Sequence, residues 1–174
     1  MFGWAFRGKV VGERRFAMST TRRPTLKHLP PHEGVKSLPV GKIGLTFKAG
    51  RTVGSSYSVA EMTVPAGMVN PMHAHPTEET IYVLDGEFEM YGEDGQPRPA
   101  GPGCSVHVPS HAAHGFANVG ATLGRLLFVM PPEQESYFDE VSKAMAPLPE
   151  RIGTVLEVRA RYGAEDLGPL GGAQ

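Results

Sequence analysis

Glycine and proline interrupt the chain so often that no stretch before residue 132 sustains a helical period. With 22 glycines and 16 prolines, the two together exceed a fifth of the 174 residues. Both break helices and favour turns, yet the hydrophobic fraction is 40%, enough for an ordinary core. That combination argues against disorder and against a helical bundle. It favours many short strands joined by tight turns.

The strands can be placed. From Val40 to Val64 the pattern is short and β-like, punctuated by Gly41, Gly44, Gly50 and Gly54. Ser56 to Val64 reads as a strand that Pro65-Ala66-Gly67 turns. Ile81 to Leu84 is an apolar run expected to be buried on both sides. Asp85-Gly86-Glu87 signals a hairpin, with Phe88 to Tyr91 as the partner strand. Gly92 to Pro102 reads as a turn-rich connection, and Val106–Pro109, Gly115–Val119 and Arg125–Met130 as three further strands. Helical periodicity enters late. Glu133–Met145 puts Tyr137, Phe138, Val141 and Met145 on one stripe, and Glu150–Tyr162 does the same with Ile152, Val155, Leu156, Arg159 and Tyr162. Gly163 would stop the second helix, and the tail from Gly168 is expected to fray.

The chemistry is concentrated between Gly67 and Gly86. His73 and His75 are separated by one residue, so an extended strand points both imidazoles the same way, near enough to share an ion. Glu79 follows four positions after His75. A further ligand is expected from Gly103–Asn118, where His111 and His114 follow Pro109.

Charge and cysteine usage narrow the setting. A net charge of −1 with interspersed signs gives no electrostatic reason to expect nucleic acid or an anionic membrane as a partner. No apolar run approaches the roughly 18 residues of a membrane span, and the single cysteine, Cys104, suits a reducing cytosol. A cytoplasmic location is therefore expected. Residues 1–31 cluster arginines and read as an arm, 32–132 as a barrel, and 133–174 as a helical extension with a tail. Met18 offers an alternative start, which would make Met1 to Ala17 an upstream extension.

With these residues in view, the sequence resembles the cupin superfamily. The first family motif, Gly-x5-His-x-His-x3-Glu-x6-Gly, is met by Gly67, His73, His75, Glu79 and Gly86. The second, Gly-x5-Pro-x-Gly-x2-His-x3-Asn, is met by Gly103, Pro109, His114 and Asn118, with His111 where the family usually has glycine. The match covers about 40–130. The C-terminal helices and the closing Tyr162-Gly163…Gly168-Pro169 are similar to those of small single-domain cupins of the quercetin 2,3-dioxygenase-like kind.

The resemblance implies an all-β fold, a double-stranded β-helix (jelly-roll barrel) with one or two short C-terminal helices. It also implies that His73, His75, Glu79 and His114 are the ligands of one divalent transition metal ion, with Fe, Ni, Mn, Co, Cu and Zn all compatible. Four ligands on an octahedral ion leave two positions for water, oxygen or substrate. Glu79 is either a static ligand or a base that takes a phenolic or enolic proton. Glu78, one residue earlier, faces the other side of the strand and is expected to be exposed or paired to a cation.

The implied activity is oxygenation of a small enol- or phenol-type substrate by a quercetinase-like dioxygenase, with dioxygen as co-substrate. The rivals are a non-oxidative isomerase, decarboxylase or lyase on the same ion, and a non-catalytic small-molecule-binding module. Met62, Met72, His111, Phe116 and Phe128 are candidate substrate-pocket residues, with His111 a loop histidine in the plainer reading. Cys104 is expected to be small and buried, and His107 to have no ligand role. Exposed sheet edges suggest a homodimer.

Overall fold

In the computed structural model, residues 25–147 and 154–171 are described. The N-terminal arm up to residue 24 and the start proposed for the second helix lie outside them. In chain order the strands are β1 (Lys36–Val40), β2 (Ile43–Ala49), β3 (Ser58–Val64), β4 (Val69–Ala74), β5 (Glu79–Asp85), β6 (Phe88–Tyr91), β7 (Pro97–Ala100), β8 (Ser105–Val108), β9 (His114–Asn118) and β10 (Gly124–Met130). Helices α1 (Glu133–Ala144) and α2 (Val155–Arg161) and a last strand, β11 (Glu165–Gly168), complete the fold.

Two antiparallel sheets face each other, in the orders β1-β2-β3-β10-β5-β8 and β11-β4-β9-β6-β7. This is the all-β jelly roll with short C-terminal helices. Inward-facing residues alternate along the strands, and Leu45, Phe47, Val64, Ile81, Val83, Phe88, Phe116 and Leu126 are at most 2% exposed between the sheets. A smaller cluster of Val141, Ala144 and Val158 packs the two helices together and onto Val40.

Several local expectations are corrected. β5 and β6 do not pair; they belong to different sheets, so Asp85-Gly86-Glu87 is a corner and not a hairpin. Gly86 makes that corner at φ 96°, and a Cβ there would lie 2.8 Å from Gly124 Cα. β5 is not buried on both faces, since Tyr82 is 42% exposed between the buried Ile81 and Val83. The connection after Tyr91 contains β7, whose Pro97 and Pro99 are tolerated because it is an edge strand. Cys104 is exposed, because it sits in the turn whose N–H bonds to Gly101 O just before β8.

At the C-terminus the described part of the second helix starts from a capping box. Thr154 Oγ1 accepts from Glu157 N–H at 3.2 Å, while Thr154 N–H donates to Glu157 Oε2 at 2.7 Å. Residues 168–171, the described part of the tail, do not fray from the barrel. β11 pairs with the free edge of β4, and Leu170 lies over Gly115.

Candidate metal centre

The site forms where β4, β5 and β9 come together. β4 pairs with β9 so that His73 lies opposite His114. The register between Asn70 and His73 is irregular at Pro71, which has no N–H to give to the ladder. His75 follows the end of β4, and Glu79 is the first residue of β5. The loop after Pro109 is fastened to this segment by His111 N–H to His75 O at 2.7 Å and Ser110 Oγ to Pro76 O at 2.5 Å.

His73, His75 and His114 bring one ring nitrogen each to within 4.8 Å of the others. Their orientation is fixed in one way. Nδ1 of His73 bonds to Pro71 O at 2.8 Å, that of His75 to Thr77 O at 2.7 Å, and that of His114 to Ala112 O at 2.9 Å. A carbonyl only accepts, so each Nδ1 carries the proton and each Nε2 lone pair is left for another partner. His114 Nε2 is buried and has no hydrogen bond. Glu79, buried at 7% exposure, brings its carboxylate to 3.4 Å from His114 Nε2 and 3.9 Å from His75 Nε2.

Electrostatics disfavour the charged form of His73 and His75. Burial pushes His73 down to about 4, and the neighbouring His114 adds to the shift against the bond to Pro71 O. His75 is lowered as well, first by burial, with Glu79 opposing. Three imidazoles with Nδ1 committed to carbonyls, converging beside a buried carboxylate, are the donor set a first-row divalent ion takes, so the residues fit such an ion.

Above the cluster lies a cavity of about 90 Å³. The barrel contributes Met62, Phe116, Phe128 and Asn70 to its wall, and α1 closes it with Gln134, Tyr137 and Phe138. Met72 is not part of the wall. As the neighbour of His73 on β4 it points away from His73's face. Nor is His111, which is exposed on its loop at φ 62°, the left-handed conformation a glycine would take there. Glu78 is exposed, and His107 faces out of β8 toward Thr80 Oγ1, 3.3 Å away. A larger cleft of about 300 Å³ opens between β7 and β8, but His114 alone of the cluster borders it.

Sequence reading missed the α1 wall. Tyr137 and Phe138 were visible as an apolar helical stripe, which is the signal of any packed helix and does not say against what it packs. Gln134, 7% exposed, donates from its amide to Thr77 Oγ1, which is itself 3.2 Å from His75 Nδ1. The helix thus reaches a histidine of the cluster through Gln134 and Thr77.

Comparison with known proteins agrees with this architecture at two levels. Residues 60–130 match the family model of the cupin domain, which supports placing the barrel in the cupin superfamily. More particularly, 70 residues are 37% identical to dimethylsulfoniopropionate lyase DddQ of Ruegeria pomeroyi, a match covering 40% of this chain and 35% of that protein. The chain therefore matches about a third of the length of this curated relative. Among solved structures, the polyketide cyclase RemF of Streptomyces resistomycificus shares the fold with a TM-score of 0.55 and 24% identity, over 62% of this chain and 80% of that one. The crystal structure of the Ruegeria pomeroyi DddQ gives a TM-score of 0.46 and 28% identity, over 53% and 48%.

Proposed function

We propose that this chain is a metal-dependent cupin enzyme in which His73, His75, His114 and Glu79 hold one divalent ion, and that it carries out a non-oxidative proton-transfer reaction, an elimination, isomerisation or decarboxylation, on a small substrate with an oxygen donor. One observation carries the metal reading: three imidazoles whose Nδ1 atoms are each committed to a backbone carbonyl converge their remaining nitrogens beside a buried carboxylate. When bound, the ion supplies Lewis acidity to a substrate oxygen. Glu79 is the only carboxylate facing the cavity among the described residues, and it is the base that accepts the substrate proton.

Cavity size bears on the reaction class. About 90 Å³ is well below the roughly 300–1,000 Å³ of sites for drug-sized ligands, so the chamber beneath α1 is too small for a flavonol. That disfavours a flavonol as substrate, and the relative with a 70-residue match is a lyase. A dioxygenase reading keeps one support, the aromatic and thioether wall of Phe116, Phe128 and Met62, which suits a planar enol.

The deciding experiment loads the protein in turn with iron, nickel, cobalt, manganese and zinc, then follows small enolisable acids in air and under strict anaerobiosis while recording oxygen uptake. Turnover that persists without oxygen supports the lyase-type reading. Metal-dependent uptake would replace it with the dioxygenase, and ligand binding without turnover would leave a binding module. In the same assay His114→Ala should lose both ion and turnover; full activity in the metal-free variant would refute the metal reading.

A further inference from the structure

Of the three side chains that α1 places in the cavity wall, two are already committed. The Gln134 amide donates to Thr77 Oγ1. The Phe138 ring packs edge-on to Phe47, with centroids 6.5 Å apart. Tyr137 is held just as firmly, with its ring between Phe138 at 5.1 Å and Tyr162 at 5.3 Å, both edge-on. Its hydroxyl, however, makes no hydrogen bond with any described residue.

Tyr137 is half-buried, so its hydroxyl is not sealed inside the protein and stays open to a partner that enters the cavity. Tyr137 borders the 90 Å³ cavity and also an adjoining one of about 40 Å³, and the two share His75, Gln134 and Tyr137 as a common wall. Burial raises its pKa above the usual phenol range, so the group stays a neutral donor. Arg159 adds positive potential at Tyr137, while Asp166 and Glu79 act against it there. Its guanidinium acts on Tyr137, His73 and His75, and it is held by Asp166, 2.7 Å away on the strand that pairs with β4. Around the cavity the remaining surface is apolar apart from Asn70 and the candidate ligands.

We infer that Tyr137 is a substrate-binding residue whose hydroxyl donates a hydrogen bond to an oxyanion, a carboxylate or enolate of a few heavy atoms, held between α1 and the histidine cluster. This rests on the metal reading above and adds the substrate's charge and size. A fixed hydroxyl donor beside residues that would hold a divalent ion, in an apolar chamber too small for an aromatic bicycle, selects a compact anion over a neutral or bulky molecule.

Acetate is a suitable probe because it is compact, carries the oxyanion and reports on a cobalt centre. Cobalt(II)-loaded wild type, Tyr137→Phe and the surface control Tyr82→Phe would be titrated with acetate while the visible spectrum is recorded. Tyr137→Phe removes only the hydroxyl. The expected result is an unchanged cobalt spectrum and cobalt affinity, with acetate dissociation constants roughly tenfold or more higher in Tyr137→Phe and unchanged in Tyr82→Phe. Equal acetate affinity in wild type and Tyr137→Phe overturns the proposal. So does a wild-type cobalt centre that does not respond to acetate, and so does loss of cobalt by Tyr137→Phe, which would make the residue structural. Failure of wild type to take up cobalt would remove the metal reading itself, and that outcome is visible before any acetate is added.

Discussion

At the scale of single residues, the histidine cluster ties metal affinity to protein stability through protons. In the metal-free protein His73 titrates near 4 when folded, against an ordinary value near 6.5, because burial and His114 oppose its charge. The unfolded chain therefore takes up a proton between pH 6.5 and 4 that the folded one refuses. The stabilising contribution is complete above about pH 6.5 and falls as the pH drops toward 4, by roughly 3 kcal/mol in all. Urea unfolding of metal-free protein at several pH values should show this decline, and His73→Gln should flatten it. A wild-type profile with no slope across that window would mean that His73 is not buried in neutral form.

At the scale of elements, α1 acts on the cluster through the relay from Gln134 to Thr77 to His75. Gln134→Ala should leave the fold intact and lower metal affinity by roughly ten- to a hundredfold, the range seen for partners that orient a ligand; competition with a chelator measures it. Gly115, between His114 and Phe116 on β9, has the opposite sensitivity. A Cβ there would lie 2.6 Å from Leu170 Cδ2, 2.9 Å from Asn70 O and 3.1 Å from Pro71 O, the last being the carbonyl that orients His73. The two carbonyls belong to a paired strand and move only with it. Gly115→Ala should therefore cost about 1–3 kcal/mol and weaken metal binding, and thermal melts with and without ion would separate the two effects. These elements also mark how far the sequence could be read. The strands β3, β8, β9 and β10 and the pairing of His73 with His75 were legible because alternation and ligand spacing are local patterns, whereas the choice of His114 over His111 came from the resemblance to cupins. β7, β11 and the β5–β6 corner were not, since edge pairing and sheet membership depend on which strands lie alongside, a long-range property. Tyr137 and Gln134 were hidden for a related reason: a helical stripe gives a buried face without naming what it covers.

At the scale of the whole molecule, the C-terminal segment sets what the barrel can hold. Glu135 is 3% exposed and binds Lys36 and Thr52, with the bonds from both outweighing the burial that would raise its pKa. Ser142 Oγ donates to Pro39 O at 2.6 Å, Lys36 also pairs with Asp139, and Tyr162 Oη donates to Glu140 Oε1 at 3.0 Å. Contacts from β1, Thr52 and the end of α2 thus fix α1 across the mouth, and the chamber beneath it is small because the cap is anchored. Phe138 has no polar side-chain group, and it packs against Phe47 and Tyr137 by its ring alone. Phe138→Ala should cost about 2–4 kcal/mol by the usual scale of lost aromatic packing, while the ties through Glu135 and Ser142 keep α1 in place. The vacated volume adjoins the cavity, so the variant should admit benzoate to a cobalt-loaded site that in wild type accepts acetate and excludes the ring. Parallel titrations of both proteins with both acids would measure this. If wild type bound benzoate as tightly as acetate, the cap would not limit substrate size, and larger phenolic substrates would return to consideration for this barrel.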